Sequence, residues 1–446
     1  MQIVEGRNLQ LLLLELNEVN FDHVRTFVDR GDLPNFARLI ESHGVVETVS
    51  EEAYDELEPW IQWVTAHTGL SFKDHLVFRL GDIVNHDLGQ IWEYLERTGL
   101  RVGAISPMNA KNRTHSPAFF VPDPWTPTAV SAGALLTGLY RAVSQAVNDN
   151  AKGRLTPSPA AWLMAGAARY ASPPNYARYA RMLAVGASRP WVKSMILDLL
   201  LADIFATETR RTHPQFASLF LNAAAHIQHH YMFNSSAYRG ERRNPEWYIA
   251  PHLDPVADIY RLYDDIVGQI RQQFPAARLM IATGLHQDPH AEVTFYWRLK
   301  GHARFLRPVG VEFSRVETRM SRDFIVACDS GDAAAAAERL LQSVQHESGV
   351  PLFEVDNRGR DLFVMLTWPH DIEGSFVYLV GGRPVHGFRN DVAFVAIKNG
   401  EHNGVGYFID TGLSKSAHDG SFPLAQIPAK ICEALNVEWA APLPTS

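Results

Sequence analysis

Short runs of apolar residues alternate along the chain with amphipathic stretches of helical period. Four of these runs end in polar residues or glycine: QLLLLEL at 10–16, RVGAIS at 101–106, FASLFLN at 216–222 and ARLMIATG at 277–284. Strands that are buried on both faces produce such runs, and helices between them favour parallel pairing. The pattern predicts the α/β fold class, with a central, mostly parallel sheet flanked by helices.

The clearest helical pattern lies between the third and the fourth apolar run. Asp254 suits the N-cap position and Pro255 the first helical position. Apolar residues then recur at helical spacing, namely Val256, Ile259, Tyr263, Ile266 and Ile270. We therefore expect a helix that carries the chain from one strand of the sheet to the next.

Two stretches interrupt this alternation. Residues 107–212 are rich in alanine, proline and aromatic residues, which predicts a mostly helical insertion. Residues 292–379 contain RDFIVACDS, DAAAAAERLLQSVQ, PLFEVDN and DLFVMLTW. Their order of strand, helix, strand and strand predicts a small α+β cap. The remaining segments, 1–106, 213–291 and 380–446, would then form the α/β core.

Composition narrows the choice of partners and location. The chain has 446 residues, a net charge of −8 and no basic arm, so nucleic acid is not an expected partner. It lacks a run of about 18 apolar residues, so we expect no membrane span. The two cysteines match no metal-binding spacing and fit a reducing compartment, which favours the cytoplasm. Aromatic residues in the helical insertion would suit a lid or a homo-oligomer interface.

Polar side chains with metal-binding chemistry follow several of the predicted strands. Ligands bind beyond the carboxyl ends of strands in open parallel sheets. The residues that reach this edge are Asn17 and Glu18, then His226, His229 and His230, then His286, and finally His402 in GEHNGVGYFIDTG. Neutral imidazole suits zinc and related divalent metals, and carboxylate suits harder ones. The pattern predicts a site at which these separate segments meet.

The order of the segments resembles the alkaline phosphatase superfamily, in its type I phosphodiesterase/nucleotide pyrophosphatase branch. LPNFARLIESHGVVET at 33–48 and WVTAHTGLSFKDHLV at 63–77 are similar to two of its motifs. ARLMIATGLHQ and GEHNGVGYFIDTG are similar to its strand ending in Ser-Asp-His and its final metal-histidine segment. The resemblance implies an alkaline-phosphatase-like core with two divalent metals beside a threonine or serine nucleophile.

The chain departs from that family at the aspartates and at the nucleophile. The first family aspartate falls on Asn17, and the aspartate of Ser-Asp-His falls on Leu285. The Asp-x-x-x-His pair falls either on Asn222 and His226 or on Ala225 and His229. The segment DELEPWIQ at 55–62, where the nucleophile is expected, contains no serine or threonine. Without aspartates to offset the repulsion of two cations, we expect at most one tightly bound metal, or none.

The resemblance and the retained residues together give a functional expectation. We expect a hydrolase or group-transfer enzyme that acts on an anionic small molecule, a phosphate, phosphonate or sulfate ester. The metal would be zinc, with manganese as the alternative, held by three histidines with Asn17 or Glu18 assisting. Glu56 or Glu58 would act as general base or as carboxylate nucleophile, and Thr65 and His67 would contact substrate.

Two other functions remain open on the same residues. The scaffold could have lost hydrolysis and act as an accessory or binding protein in a biosynthetic pathway. Alternatively, the histidines could perform acid–base chemistry without a metal. The position of the histidines relative to one another decides among these readings.

Overall fold

The computed structural model describes residues 9–51, 57–148, 157–318, 322–417 and 420–442. The strands are β1 (Leu11–Leu16), β2 (Val46–Val49), β3 (Val102–Ile105), β4 (Phe119–Val121), β5 (Phe216–Leu221), β6 (Arg278–Ala282), β7 (His286–Leu299), β8 (Arg315–Thr318), β9 (Asp323–Ala327), β10 (Gln345–His346), β11 (Phe353–Asn357), β12 (Asp361–Leu366), β13 (Val377–Val380), β14 (Arg383–His386), β15 (Val392–Asn403), β16 (Val405–Asp410) and β17 (Phe422–Pro423).

The helices are α1 (Phe21–Asp29), α2 (Pro34–His43), α3 (Pro59–Thr68), α4 (Phe72–His75), α5 (Ile91–Arg97), α6 (Ala134–Asn148), α7 (Pro157–Tyr170), α8 (Tyr176–Val185), α9 (Val192–Thr212), α10 (Ala223–Tyr231), α11 (Pro255–Gln273), α12 (His302–Val309), α13 (Gly331–Gln342), α14 (Phe388–Asp391) and α15 (Ile427–Ala434). Over the described residues, none of these helices combines the length and the apolar character that crossing a membrane requires.

The four apolar runs form β1, β3, β5 and β6, and all four are neighbours or near neighbours in one eight-stranded sheet. The strand order is β17-β2-β16-β6-β1-β5-β3-β4. β1 lies between β5 and β6 and is parallel to both, with Leu16 opposite Leu221 and Glu15 opposite Ala282. Strand β16 is antiparallel to β6 and β2. The predicted fold class, a mostly parallel sheet flanked by helices, is confirmed.

Strand β1 shows why the runs are continuously apolar. Leu12 and Leu14 belong to one buried cluster, which includes residues of α11 on one face of the sheet. Leu11 and Leu13 belong to a second cluster with Trp63 on the other face. Each buried leucine contributes about 1.5–3 kcal/mol of transfer free energy, so both faces of the strand stabilise the sheet.

Helix α11 forms as its sequence predicts. The Asp254 side chain accepts a hydrogen bond of 2.9 Å from the backbone N–H of Ala257, and Pro255 occupies the first helical position. The apolar stripe is buried, including Ile259 and Ile266. Helix α11 therefore covers one face of the eight-stranded sheet.

The chain divides into two compact units. The first comprises Met1–Glu241, Glu246–Pro289 and Gly400–Ser446, and contains the eight-stranded sheet. The second comprises Arg242–Pro245 and His290–Asn399. It contains the antiparallel sheet β11-β12-β9-β8 with α13, the strand–helix–strand–strand segment of the sequence. The predicted cap at 292–379 lies within this second unit, which also includes 380–399.

Candidate metal centre

The centre of the site is the turn that follows β1. The backbone N–H of Asn17 donates to Leu221 O at 3.0 Å, and the N–H of Glu18 donates to Thr283 O at 3.1 Å. These bonds tie the turn to the ends of the two neighbouring strands. Glu18 has φ +59°, in the left-handed region that non-glycine residues rarely occupy. Such a conformation persists where the surroundings hold it, and it is concentrated at functional sites.

Glu18 meets two histidines that come from distant parts of the chain. Its Oε2 lies 3.2 Å from Nε2 of His229 and 3.4 Å from Nε2 of His402. The two imidazole nitrogens lie 3.3 Å from each other. Within the described part of the chain, this trio is the group of His, Cys, Asp or Glu side chains whose ligand atoms all approach within 4.8 Å.

The three distances fit the coordination of a single divalent cation. Metal–ligand bonds of about 2.0–2.1 Å at tetrahedral angles place ligand atoms roughly 3.3–3.4 Å apart. Around such a cation the trio would form one face of a tetrahedron, and a fourth position would be left for water or substrate. Two imidazoles and one carboxylate are a donor set that zinc and manganese accept, and three protein ligands with an open position characterise catalytic sites.

Neighbouring amides hold the Glu18 carboxylate in place. Asn17 Nδ2 donates to Glu18 Oε1 at 3.0 Å, and Gln287 Nε2 donates to Glu18 Oε2. Gln228 Nε2 donates to the backbone oxygen of Glu18 at 2.8 Å. Such outer partners fix the orientation of a ligand and limit its freedom to leave the metal.

The electrostatics favour an ionised carboxylate. Glu18 is 2% exposed, and this burial, the largest single influence, raises its pKa. The attraction of His402 and His229 and their hydrogen bonds act in the opposite sense. Together they hold the pKa of Glu18 below its ordinary value, so the group is negative wherever the protein is folded near neutral pH.

Close packing against a glycine positions the Gln287 amide. A Cβ atom on Gly400 would lie 2.0 Å from Gln287 Oε1, so a side chain at 400 would displace the amide. Gln287 Nε2 also donates to Ala225 O at 3.0 Å, while its buried Oε1 accepts no hydrogen bond from the described residues. Gly400 therefore leaves room for the amide that orients Glu18.

Glu58 is the predicted catalytic carboxylate that reaches the site. It stands at the N-cap position of α3, and its Oε2 lies 3.8 Å from Nδ1 of His402. Its side chain is 36% exposed. A carboxylate beside Nδ1 favours the tautomer of His402 that keeps Nε2 available as a ligand. Glu56, the alternative base, lies outside the described residues.

Two of the predicted metal ligands, His226 and His286, lie outside the trio. His226 is exposed, and its ring packs edge-on against His230 at 4.6 Å. His286 bonds through Nε2 to Asp288 Oδ1 at 3.2 Å and through Nδ1 to Val405 O. The predicted ligands that come together in this structure are therefore two histidines and a carboxylate.

The Asn17 side chain contacts other protein groups at both ends of its amide. Its Oδ1 accepts a hydrogen bond of 2.6 Å from the indole N–H of Trp63. Its Nδ2 donates to Glu18 and, at 2.8 Å, to Asn222 Oδ1. In this structure Asn17 therefore contacts the trio through the Glu18 carboxylate.

The two expected substrate contacts, Thr65 and His67, lie in the core. Thr65 is 4% exposed, and its hydroxyl lies 3.2 Å from Nε2 of His75. His67 is fully buried, with Nε2 2.7 Å from Glu15 Oε1. Helix α3 is buried on nearly every side, which is why its polar residues face other protein groups.

Sequence reasoning did not find the amides of Gln228 and Gln287. Gln228 lies one residue before His229, and Gln287 lies one residue after His286, so both stood inside segments already singled out. Nothing in their spacing distinguishes them from surface glutamines. Their burial, each at 0% exposure, appears only when β6, α10 and the turn after β1 are brought together.

A cavity of about 400 Å³ lies at the opposite edge of the sheet. Its lining includes Leu12, His43, Arg278 and Thr411, near the start of β1 and β6. Arg278 there is already paired with Asp410, at 2.6 Å. The cavity therefore lies near the starts of these strands, whereas the trio lies beyond their carboxyl ends.

Comparison with known proteins gives similarity at the level of structure. No family model matches the chain, and no curated protein matches it. Phosphonoacetate hydrolase from Sinorhizobium meliloti 1021, solved with phosphonoformate, has a TM-score of 0.45 and 12% identity, covering 96% of each chain. Murine ectonucleotide pyrophosphatase/phosphodiesterase 5 has a TM-score of 0.42 and 10% identity, covering 98% of this chain and 97% of the other.

TAB5 alkaline phosphatase, solved with magnesium, has a TM-score of 0.41 and 8% identity, covering 96% of this chain and 98% of the other. All three are members of the alkaline phosphatase superfamily, the group that the sequence segments resemble.

Proposed function

We propose that this protein is a metal-dependent hydrolase or group-transfer enzyme that acts on a phosphate, phosphonate or sulfate ester. Glu18, His229 and His402 would hold one divalent cation. The observation that carries the proposal is the meeting of these three ligand atoms at mutual distances of 3.2–3.4 Å. The residues come from the turn after β1, from α10 and from the end of β15, so local sequence does not bring them together.

The donor set and the substrate class are complementary. When bound, a divalent cation supplies Lewis-acid polarisation of the ester oxygen and a positive charge opposite the anionic group. Glu18, with its lowered pKa, supplies the charge that retains the cation. Zinc is the metal that two imidazoles and one carboxylate favour most, and manganese is the alternative.

Glu58 is the residue that we assign to proton transfer. Its side chain is 36% exposed and lies beside His402, so it can reach a water molecule at the open side of the trio. A carboxylate in that place can accept a proton from the attacking water as the water oxygen bonds to phosphorus or sulfur, and it can then give that proton to the ester oxygen that departs as the ester bond breaks. The attacking group in this proposal is water, because Thr65 is buried against His75.

One observation favours the second candidate, a non-hydrolytic accessory or binding protein. The described residues bring together one trio that could hold a metal ion at the sheet edge, whereas a two-metal displacement uses a pair of cations. A single cation is sufficient to bind an anionic small molecule without turning it over. Acid–base chemistry by the histidines alone is the third possibility, and the same experiment distinguishes it.

The experiment measures metal content and turnover on the same protein samples. The metal content of the wild type, purified without added metal and then supplied with zinc or manganese, is compared with that of His229→Ala and His402→Ala. His226→Ala is the matched control, because His226 is on the same helix but outside the trio. Turnover is measured on aryl phosphate monoesters, diesters, phosphonates and sulfates.

The proposal expects about one cation per wild-type chain, retained in His226→Ala and lost in both trio variants, with turnover lost in parallel. Metal binding without turnover of any of these esters would favour the binding protein. Turnover that persists after chelation and in both trio variants would overturn the metal-dependent mechanism and favour acid–base chemistry.

A further inference from the structure

Residues from two other helices cap the N-terminus of α10. The side chain of Asn222, at the N-cap position, makes no capping hydrogen bond. The backbone N–H of Ala223 donates instead to Oδ2 of Asp198 on α9, at 2.7 Å. The backbone N–H of Ala224 donates to the hydroxyl of Tyr263 on α11, at 3.1 Å. Since the first N–H groups of a helix have no partner within the helix, these acceptors stabilise the start of α10.

Asp198 and Tyr263 form a single buried unit. The Tyr263 hydroxyl donates to Oδ2 of Asp198 at 2.7 Å, so this oxygen accepts two hydrogen bonds. The two residues are 3% and 1% exposed. A polar group that is buried to this degree is costly unless it is hydrogen-bonded, so the unit favours one arrangement of α9, α10 and α11.

This cap leaves the side chain of Asn222 available to the metal centre. Its Oδ1 accepts a hydrogen bond of 2.8 Å from Nδ2 of Asn17. The same Nδ2 donates to Oε1 of Glu18 at 3.0 Å. The start of α10 is therefore connected to the Glu18 carboxylate by two consecutive hydrogen bonds, while the same helix carries His229.

We propose that Asp198 is a positioning residue for the metal centre. By anchoring the start of α10, it sets the position of His229 relative to Glu18. Through Asn222 it also places the amide of Asn17 that donates to Glu18. This inference rests on the proposed function, and it gives α9, the last helix of the segment 107–212, a role in supporting the site.

Helix α9 carries a second carboxylate that serves as a matched control. Asp203 is 3% exposed, as Asp198 is. It accepts hydrogen bonds from the backbone N–H of Ser172 at 2.8 Å, from Nδ2 of Asn175 at 2.8 Å and from the hydroxyl of Tyr179 at 3.0 Å. These partners belong to α8 and the turn before it. Asp203 therefore connects α9 to α8, whereas Asp198 connects α9 to α10.

Titration of the full chain with zinc tests the proposal on Asp198→Ala, Asp198→Asn and Asp203→Ala. The alanine variants remove the acceptor oxygens, whereas Asp198→Asn keeps one oxygen that can accept. Circular dichroism verifies that each variant is folded, and urea denaturation without metal measures its stability. The visible absorption of bound Co²⁺ reports whether the arrangement of the ligands has changed.

We expect Asp198→Ala to bind zinc about tenfold more weakly than the wild type and to shift the Co²⁺ absorption, because His229 is displaced. Asp198→Asn should recover most of the affinity. Asp203→Ala should lose stability to a similar extent but keep the wild-type affinity and Co²⁺ absorption. Wild-type affinity in Asp198→Ala, or an equal loss of affinity in Asp203→Ala, would overturn the proposal.

Tyr263→Phe provides the test if Asp198→Ala does not fold. It keeps the ring and removes the hydroxyl that joins Asp198 to the N–H of Ala224. Zinc affinity should fall by a few-fold, whereas Tyr179→Phe, which removes the hydroxyl beside Asp203, should leave it unchanged. Equal affinity in Tyr263→Phe and the wild type would contradict the positioning role.

The wild-type titration separates this inference from the proposed function. A wild type that binds neither zinc nor Co²⁺ would contradict the proposed metal centre and this inference with it. A wild type that binds zinc, together with variants at 198 and 263 that bind it equally well, would contradict this inference alone.

Discussion

The same strand supplies glutamates to two histidine groupings that differ in access. Glu15, within β1, pairs with His67 at 2.7 Å, and both residues are 0% exposed. Glu18, just beyond the strand, meets the partly exposed His229 and His402 at 3.2 and 3.4 Å. The chemical types are alike, so the residues alone do not distinguish a structural pair from a candidate site.

The difference is the position along the strand. Glu15 lies between the sheet and α3, where the rings of Trp63 and Trp92 lie 5.8 and 4.6 Å from the ring of His67. Glu15 Oε2 and His67 Nδ1 have no hydrogen-bond partner among the described residues. Glu18 lies past the last strand residue, where helices and turns converge and solvent has access. A ligand can reach the second grouping and is excluded from the first.

Breaking the buried pair of Glu15 and His67 gives the largest expected effect on the free energy of unfolding. His67→Ala would leave the Glu15 carboxylate buried without its partner, which should lower the free energy of unfolding by about 3–5 kcal/mol. The metal content should remain at the wild-type level, because the pair is separate from the trio. Urea denaturation and elemental analysis measure these two quantities.

A double variant provides the control for this prediction. Glu15→Leu combined with His67→Phe replaces the pair by apolar groups, and such replacements are often neutral or stabilising. The double variant should therefore be more stable than His67→Ala. If His67→Ala instead lost the metal and kept its stability, the distinction between the two groupings would be wrong.

Removing the charge of Glu18 should lower metal affinity more than it lowers stability. Glu18→Gln keeps the shape of the side chain but takes away one of three ligands and the negative charge. We expect metal affinity to fall by about 10²-fold or more, close to 3 kcal/mol, with a smaller change in stability. Isothermal titration with zinc measures the affinity, and Glu15→Gln serves as the matched variant. Equal metal affinity in Glu18→Gln and the wild type would contradict the assignment of Glu18.

The sequence predicts which segments lie at the carboxyl ends of the strands. It does not predict the side-chain contacts that depend on packing. The apolar runs predict β1, β5 and β6, and parallel pairing brings their carboxyl ends together, which is why Glu18 and His229 are among the predicted ligands. His402 is predicted instead from the similarity of GEHNGVGYFIDTG to the final metal-histidine segment of the family. The choice between His226 and His229 depends on how α10 is rotated about its axis. The family motif fits either His226 or His229, and only the packing of α10 against the segment that contains His402 decides between them.

The burial of Thr65 and His67 on α3 could not be predicted for a related reason. Thr65 and His67 stand in a segment that resembles a family motif, and a helix that is buried all round gives no amphipathic signal to show which way a polar residue points. Gln287 and Gly400 were missed because their relation is a close approach in space between distant residues. Spacing in the sequence carries no trace of such a contact.

Replacing Glu58 tests whether metal binding by the trio depends on a residue outside it. Its carboxylate lies 3.8 Å from Nδ1 of His402. Glu58→Gln should lower metal affinity by about tenfold, the lower end of what outer carboxylates contribute. It should also lower kcat more than KM if the residue transfers a proton. Stopped-assay kinetics on the metal-loaded protein separate these effects, and an unchanged kcat would remove Glu58 from proton transfer.

Gly400 gives the smallest expected effect and the sharpest test of how Glu18 is held. In Gly400→Ala the new Cβ would displace the Gln287 amide, whose Oε1 lies 2.0 Å from that position. The hydrogen bond to Glu18 would be weakened, and we expect metal affinity to fall by a few-fold, less than 1.4 kcal/mol. Gly374→Ala is the control, since a Cβ there meets nothing within 4 Å.

The decisive comparison is a double-mutant cycle. If Gly400 acts only by leaving room for the amide, Gly400→Ala should have no further effect once Gln287→Ala has removed that amide, because the two changes affect one interaction. Additive losses in the double variant would show instead that residue 400 influences His402 directly, two residues along the same strand. Glu18 would then be held mainly by Asn17 and the backbone, and the contrast with Glu15 would depend on access alone.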